Sequence, residues 1–340
     1  MQVDLRSDTV TKPTDAMRQY MLKAEVGDDV FGDDPTVKEL ETFAASMFGK
    51  EAGLFCTSGT QTNQIAINVY CQPGDEVICH EESHIYRYEG GGIMRNSGAS
   101  VRLLRGNQGR INPDEIIPNI NPDDQHYPMT KMVSIEDTSN RGGGVIYDFD
   151  VIKKINAICT EKKLKFHLDG ARVFNALAVT KINPLEYGKQ FDSISVCLSK
   201  SLGAPVGSVL LGTHEFIQKA RRVRKVFGGG MRQAGIIAAG GLFALKNHID
   251  RLSEDHARAK QLEKLVAQAQ WAESVVPVQT NIVVINLKKN LDELMVVEKL
   301  RQRGILVVGF GKGRIRMVTH LNFGDTELAF TQNNLPLILD

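Results

Sequence analysis

The chain has 340 residues, 42% of them hydrophobic and 24% charged, with a net charge of +1; this is ordinary globular composition with length enough for two domains. A charge this close to zero argues against nucleic-acid or anionic-membrane partners, and no apolar run reaches the roughly 18 residues that a membrane-spanning helix needs. Cys56, Cys71, Cys79, Cys159 and Cys197 make an odd set with no close pair, most of them in apolar segments, and Met1–Arg6 lacks the regions of a signal peptide; both features predict reduced core cysteines in a cytoplasmic protein.

In chain order, Asp4–Thr11 is polar and β-branched, too rich in hydrogen-bonding side chains for a mere tail. Pro13 and Thr14 open a helix through about Lys23. Gly27–Pro35 is a turn dense in carboxylates, and Thr36 with Glu39 three residues on reads as a capping box. Val37, Leu40, Phe43, Ala44, Met47 and Phe48 form the apolar face of the helix that follows. Strands are then expected at Ala52–Cys56, Glu76–Cys79, Val101–Leu104, Lys131–Ile135, Lys165–Leu168, Ser193–Leu198 and Ser208–Gly212. Helices at Gln61–Tyr70 and Phe149–Lys162 fall between them. This alternation predicts an α/β fold with a largely parallel, buried sheet. Two long helices, Gln233–Asp250 and Ser253–Ala269, lead away from it. Asn281–Ile285, a helix over Asp292–Arg303, Ile305–Val308 and Arg314–Val318 make a smaller α+β unit. The expected division is an N-terminal arm with a large domain, 1–247, and a small domain, 248–340.

Chemistry concentrates at three places. Lys200 follows the apolar run Ser193–Leu198, where a desolvated amine becomes nucleophilic; taken alone it would be a surface lysine after a strand. His167-Leu-Asp169-Gly-Ala-Arg172 puts a carboxylate and a guanidinium at a second strand end, the edge where open α/β sheets bind ligands. Thr57-Ser-Gly59-Thr60 opens a helix whose free amides suit an anion, without the Gly-x4-Gly-Lys pattern of a nucleotide loop. A lysine, a carboxylate and a phosphate cradle are the requirements of pyridoxal phosphate. His80-Glu-Glu-Ser-His84 matches the zinc-hydrolase signature, but it follows a strand directly and runs into Gly90-Gly-Gly92. No metal is expected there, and His84 is better suited to stack on a ring or to move protons. Arg221–Lys225 reads as a solvated helix face, and Gly228-Gly-Gly-Met-Arg232 as a linker or a close approach to an anion. His167, His214, His248, His256 and His320 read as structural.

Taken together, Leu5–Thr11, Gly27–Thr36, Ser58-Gly-Thr60, His84-Ile-Tyr, His167–Arg172, Leu198-Ser-Lys200, Gly228–Gln233 and Arg316–His320 resemble the low-specificity L-threonine aldolases. That family consists of fold-type I pyridoxal-phosphate enzymes, so the resemblance implies retro-aldol cleavage of β-hydroxy-α-amino acids to glycine and an aldehyde. It implies Lys200 as the imine partner, Asp169 on the pyridine nitrogen and His84 on the ring face. Gly59, Thr60, Arg172 and Ser199 would also hold the cofactor, with Arg232 reaching its phosphate from a neighbouring subunit. Ser7, Arg172 and Arg316 would clamp the substrate carboxylate, and His126 would stand near the β-hydroxyl. The proton acceptor for that hydroxyl is His84, His126 or a water. A homotetramer with sites at subunit interfaces is implied as well. Phe31 departs from the family's usual tyrosine. β-Elimination or racemisation on the same fold is the competing reading.

Overall fold

A computed structural model of the chain describes residues 1–336. Its strands are β1 (Val3–Asp4), β2 (Ala52–Cys56), β3 (Asp75–His80), β4 (Ser100–Leu104), β5 (Met129–Glu136), β6 (Lys165–Gly170), β7 (Ser193–Cys197), β8 (Ser208–Gly212), β9 (Ala272–Val275), β10 (Ile282–Leu287), β11 (Ile305–Leu306), β12 (Val308–Gly309) and β13 (Arg314–Val318). β2 to β8 form one sheet in the order β2-β8-β7-β6-β5-β3-β4. Its pairs from β7 across to β4 are parallel, and β8 runs antiparallel to both its neighbours. The expected fold class is observed.

Strand alternation divides the side chains between the two faces. Phe55, Ile78, Val133 and Ile135 face one way, into a core shared with Pro35–Met47, Phe149–Glu161 and Gly235–Asn247. Leu54, Cys56, Val77, Cys79 and Met132 face the other way, towards Gly59–Tyr70, His214–Val226 and Gly92–Ser97. Both faces are therefore covered, which is why the strands read as near-continuous apolar runs. All five cysteines are buried and unpaired.

The second sheet, β12-β13-β10-β9, is antiparallel. It packs with Leu252–Val266 and Glu293–Gln302 around Trp271, Val283, Ile285 and Met317. Val3 and Leu5 are buried in this same core, because β1 pairs in parallel with β11 through Val3↔Ile305. The N-terminal arm thus starts in the smaller unit and crosses to the larger one.

Several local expectations are corrected. The helix Pro35–Met47 is capped by Asp34, whose Oδ1 accepts the Val37 amide at 2.9 Å. Pro35, with no N–H to leave unpaired, takes the first helical position, so Thr36 is already inside and donates to Glu25 O. The helix Gly235–Asn247 packs on Asp15–Leu22 and Pro35–Met47 rather than leading away. Its glycines permit the approach: a Cβ on Gly240 would meet Met21 Sδ at 3.1 Å, and one on Gly241 would meet Leu40 Cδ2 at 3.3 Å. The expected strand Ile305–Val308 is split, since β11 joins β1 and β12 joins β13. Within the basic run, Arg224 is buried against Asp29 at 2.7 Å and Phe55 O, not solvated.

Candidate active site

The parallel pairing of β6 with β7 sets Asp169 opposite Ser195, so the chain emerges at the same sheet edge from both strands. Lys200 follows β7 by three residues and lines a cavity of about 340 Å³ with Ser7, His84, Glu136, Asn140, Arg172 and Arg316. The far wall, Val308 to Phe310, comes from the smaller unit. Lys200, His84, Ser7, Arg172 and Arg316, which lie far apart in sequence, therefore share one cavity.

Asp169 is buried. Its Oδ2 accepts from Asn63 Nδ2 at 3.0 Å, and Oδ1 accepts the Ala171 amide at 3.2 Å. The second hydrogen on Asn63 Nδ2 goes to Glu89 Oε1 at 3.0 Å, and Asn63 Oδ1 faces His167 Nε2 at 3.1 Å. That assigns the Nε2 proton to His167, leaving Nδ1 to accept from Ser193 Oγ at 2.8 Å. Burial pushes the His167 imidazole down to about 4, more than Asp169 raises it, so His167 stays neutral. Glu89 closes the relay by pairing with His84 Nδ1 at 2.9 Å. His84, Glu89 and Asp169 bring ligand-type atoms within 4.8 Å of one another. Burial pulls the His84 imidazole down, but the Glu89 hydrogen bond and the charges of Asp169 and Glu136 outweigh it, so its pKa is raised. Burial, and then Asp169, raise the carboxyl of Glu136, which accepts the amides of His84 at 2.9 Å and Asn140 at 3.0 Å.

On the opposite side Asp8 is fully buried. It accepts Arg172 Nε and Nη2, both at 2.7 Å, and Ser201 Oγ at 2.8 Å. Burial works to raise its pKa, but Arg172, Lys200 and Ser201 win and hold it well below the usual carboxylate range. Two of the Arg172 nitrogens are thus committed to Asp8. Arg316 donates to Asn140 Oδ1 at 2.7 Å and to Arg6 O at 2.9 Å, while its Nε is buried without a partner. Burial, and then the charge of Arg172, pull Arg316 down to about 10, which leaves it charged at neutral pH.

Gly59 and Thr60 begin the helix Gly59–Tyr70, capped by Ser58, whose Oγ accepts the Gln61 amide at 3.1 Å. Gly229 lies against Gln61, where a Cβ would approach Nε2 to 2.4 Å, so the triple-glycine turn rests on the start of this helix. Ser199 lies beside Lys200, within 3.8 Å of Cys197 Sγ. Gly59, Thr60, Asp169 and Ser199 do not line the cavity itself, and two further expected site residues lie at the surface. Arg232 pairs with Asp28 at 2.9 Å at the surface. His126 pairs with Asp124 at 2.6 Å on an exposed loop, its side chain 75% accessible. Phe31 is 77% exposed. His80 ends β3 while His84 starts the short helix His84–Arg87, so they do not share the helical face that the zinc signature needs.

Asp8, Asn63, Glu89, Glu136 and Asn140 were not expected as site residues. Asn63 had a readable signal: Thr62, Asn63 and Gln64 run directly into the apolar Ile65-Ala-Ile67, and all six are buried.

Residues 4–290 match the family described as Beta-eliminating lyase. The chain is 40% identical over 338 residues to low-specificity L-threonine aldolase 1 of Arabidopsis thaliana, covering 97% of this chain and 94% of that one. It is 39% identical over 328 residues to the low specificity L-threonine aldolase of Escherichia coli strain K12, covering 96% of each. A solved threonine aldolase of Leishmania major superposes with a TM-score of 0.82 over 98% of this chain and 99% of that one; at 20% identity this likeness speaks for the fold. The chain belongs to the beta-eliminating lyase family, among relatives named low-specificity L-threonine aldolases.

Proposed function

We propose that this chain is a pyridoxal-phosphate-dependent aldehyde-lyase, cleaving L-threonine and related β-hydroxy-α-amino acids to glycine and an aldehyde. One juxtaposition carries the reading: Lys200 and the buried Asp169 leave the ends of paired strands, with His84, Arg172 and Arg316 around them.

The residues fit the cofactor. Ser208 Oγ is buried without a partner and lies 3.6 Å from where a Cβ on Gly59 would stand. With the first-turn amides of Gly59 and Thr60 at the positive end of their helix, it forms a donor set suited to a phosphate. Ser199 is assigned to the same group, and Arg232 to the phosphate held by a neighbouring subunit. Lys200 would hold the aldehyde carbon, Asp169 the protonated ring nitrogen and His84 the ring face. Bound there, the cofactor supplies the electron sink for breaking the Cα–Cβ bond.

The chain's own residues then divide the work. Ser7, Arg172 and Arg316 orient the α-carboxylate by charge-assisted hydrogen bonds. Asp8 fixes the Arg172 guanidinium so that its remaining edge is presented without reorganisation. Glu89 fixes one nitrogen of His84, leaving the other to take the β-hydroxyl proton directly or through a water. His126 and Phe31, exposed on their own chain, are assigned to sites completed by other subunits of a cytoplasmic homotetramer.

The test is product analysis of the holoenzyme with L-threonine. Acetaldehyde and glycine in equal amounts are expected. Formation of 2-oxobutyrate and ammonia would indicate β-elimination instead, and appearance of the Cα epimer, D-allo-threonine, without cleavage would indicate racemisation at Cα.

A further inference from the structure

Arg141 is the group in the cavity that threonine cleavage leaves without a task. It lines the cavity, and its side chain is only 14% exposed. No nitrogen of this guanidinium donates a hydrogen bond among the described residues, and the nearest carboxylate, Glu82 Oε1, stands 3.9 Å away from Nε. The guanidinium lies over the face of Phe310, 4.0 Å from the ring centroid. None of its nitrogens is sealed in the protein, so the guanidinium, stacked on that ring, presents its free donors to the cavity.

The charges around the cavity sharpen the point. Arg172 is matched by Asp8, and Glu136 accepts two backbone amides. Lys200 is assigned to the cofactor aldehyde. Arg316 and Arg141 remain, on a common ring, at 5.2 and 4.0 Å from the Phe310 centroid. One α-carboxylate satisfies Arg316 with Ser7. Arg141, with Glu82 only at 3.9 Å, is left for a second anion on the same molecule.

We propose that Arg141 is a specificity-determining residue that selects β-hydroxy-α-amino acids carrying a carboxylate on the β-carbon, with β-hydroxyaspartate as the simplest case. The proposal rests on the aldehyde-lyase reading above. Cleavage balances without another reactant: the Cα–Cβ bond breaks, the β-hydroxyl loses its proton and its carbon leaves as the aldehyde of glyoxylate, and Cα takes up a proton and leaves as glycine.

Two measurements on the holoenzyme test this. The first is binding of two unreactive amino acids, L-aspartate and L-2-aminobutyrate, followed through the absorbance of the bound cofactor. The parent is expected to prefer aspartate by about ten- to a hundred-fold, the worth of one charge-assisted hydrogen bond. Arg141→Gln should abolish that preference, and Arg141→Lys should keep part of it. The second is the ratio of kcat/KM for β-hydroxyaspartate over threonine, which should fall at least ten-fold in Arg141→Gln. A parent with no preference for aspartate, or an Arg141→Gln variant with the parent's ratio, would overturn the proposal and leave Arg141 a packing partner of Phe310. Absence of acetaldehyde from threonine would instead refute the lyase reading, while the binding preference would still report on Arg141.

Discussion

Replacing Asp8 with alanine tests how the N-terminal arm joins the two units and presets Arg172. Asp8 is fully buried and takes hydrogen bonds from Arg172, Ser201 and, at 3.3 Å, Asn281. Its donors come from both the larger and the smaller unit. Removing the carboxylate leaves the buried Arg172 guanidinium uncompensated, which costs about 3–5 kcal/mol. The exposed pair Arg6–Asp4 in the same arm should matter far less, by about 1 kcal/mol or under. The sign of the pH dependence follows from the depressed Asp8 pKa. Its contribution is complete above the unfolded carboxyl value of about 3.9 and disappears as pH falls towards the folded value. Urea unfolding at fixed cofactor concentration should therefore show the full loss at pH 7 and a smaller one in acid. The double variant Asp8→Ala/Arg172→Met, which removes both charges, should recover much of the stability but not the activity. A loss below about 1 kcal/mol for Asp8→Ala at pH 7 would refute this reasoning.

Other expectations follow from the same geometry. Because His84 must be neutral to accept a proton and its pKa is raised, kcat/KM should climb with pH through a midpoint above 6.5; Glu89→Gln should shift that limb to lower pH, and an unmoved limb would remove Glu89 from this role. Asp169→Asn should still bind cofactor but turn over slowly, since an amide stabilises a protonated ring nitrogen poorly; full activity would cancel the assignment. Phe31 is exposed in the single chain, so Phe31→Ala should change protomer stability by no more than about 0.5 kcal/mol. A loss of sedimenting tetramer and of activity in that variant, with Phe31→Tyr retaining both, would place Phe31 at an interface; no change in either would remove it.

Much of this architecture was legible before any coordinates. Runs such as Ser193-Ile-Ser-Val-Cys and Lys165-Phe-His-Leu announce buried strands, and their ends place Lys200 and Asp169 on one edge. Burial on both faces makes such strands readable as blocks. What escaped depends on partners far apart in sequence. β1 is two residues long, and its mate β11 lies some three hundred residues away, so no local pattern announces it. Arg224 sits in a run that composition assigns to solvent, yet Asp29 and the Phe55 carbonyl draw it inside. Asn63 and Glu89 look like ordinary polar residues until the fold sets them between Asp169 and His84. Asp8 lay within a stretch already marked by its density of polar groups, but the identity of its partner, Arg172, is a tertiary fact. Thr36 was a plausible cap by pattern; Pro35, which fits best at the first helical position, moved the cap back to Asp34.

The most direct test of the account is to find the amine that carries the cofactor. The purified protein, saturated with pyridoxal phosphate, would be treated with borohydride, which fixes the cofactor's aldehyde carbon on the amine holding it, and then digested for peptide mapping. The account predicts loss of the visible absorbance and a single modified residue, Lys200, in the segment Ser193–Gly203, with no modification there in Lys200→Ala. Stoichiometric modification of a different lysine, or a protein that takes up no cofactor, would contradict it.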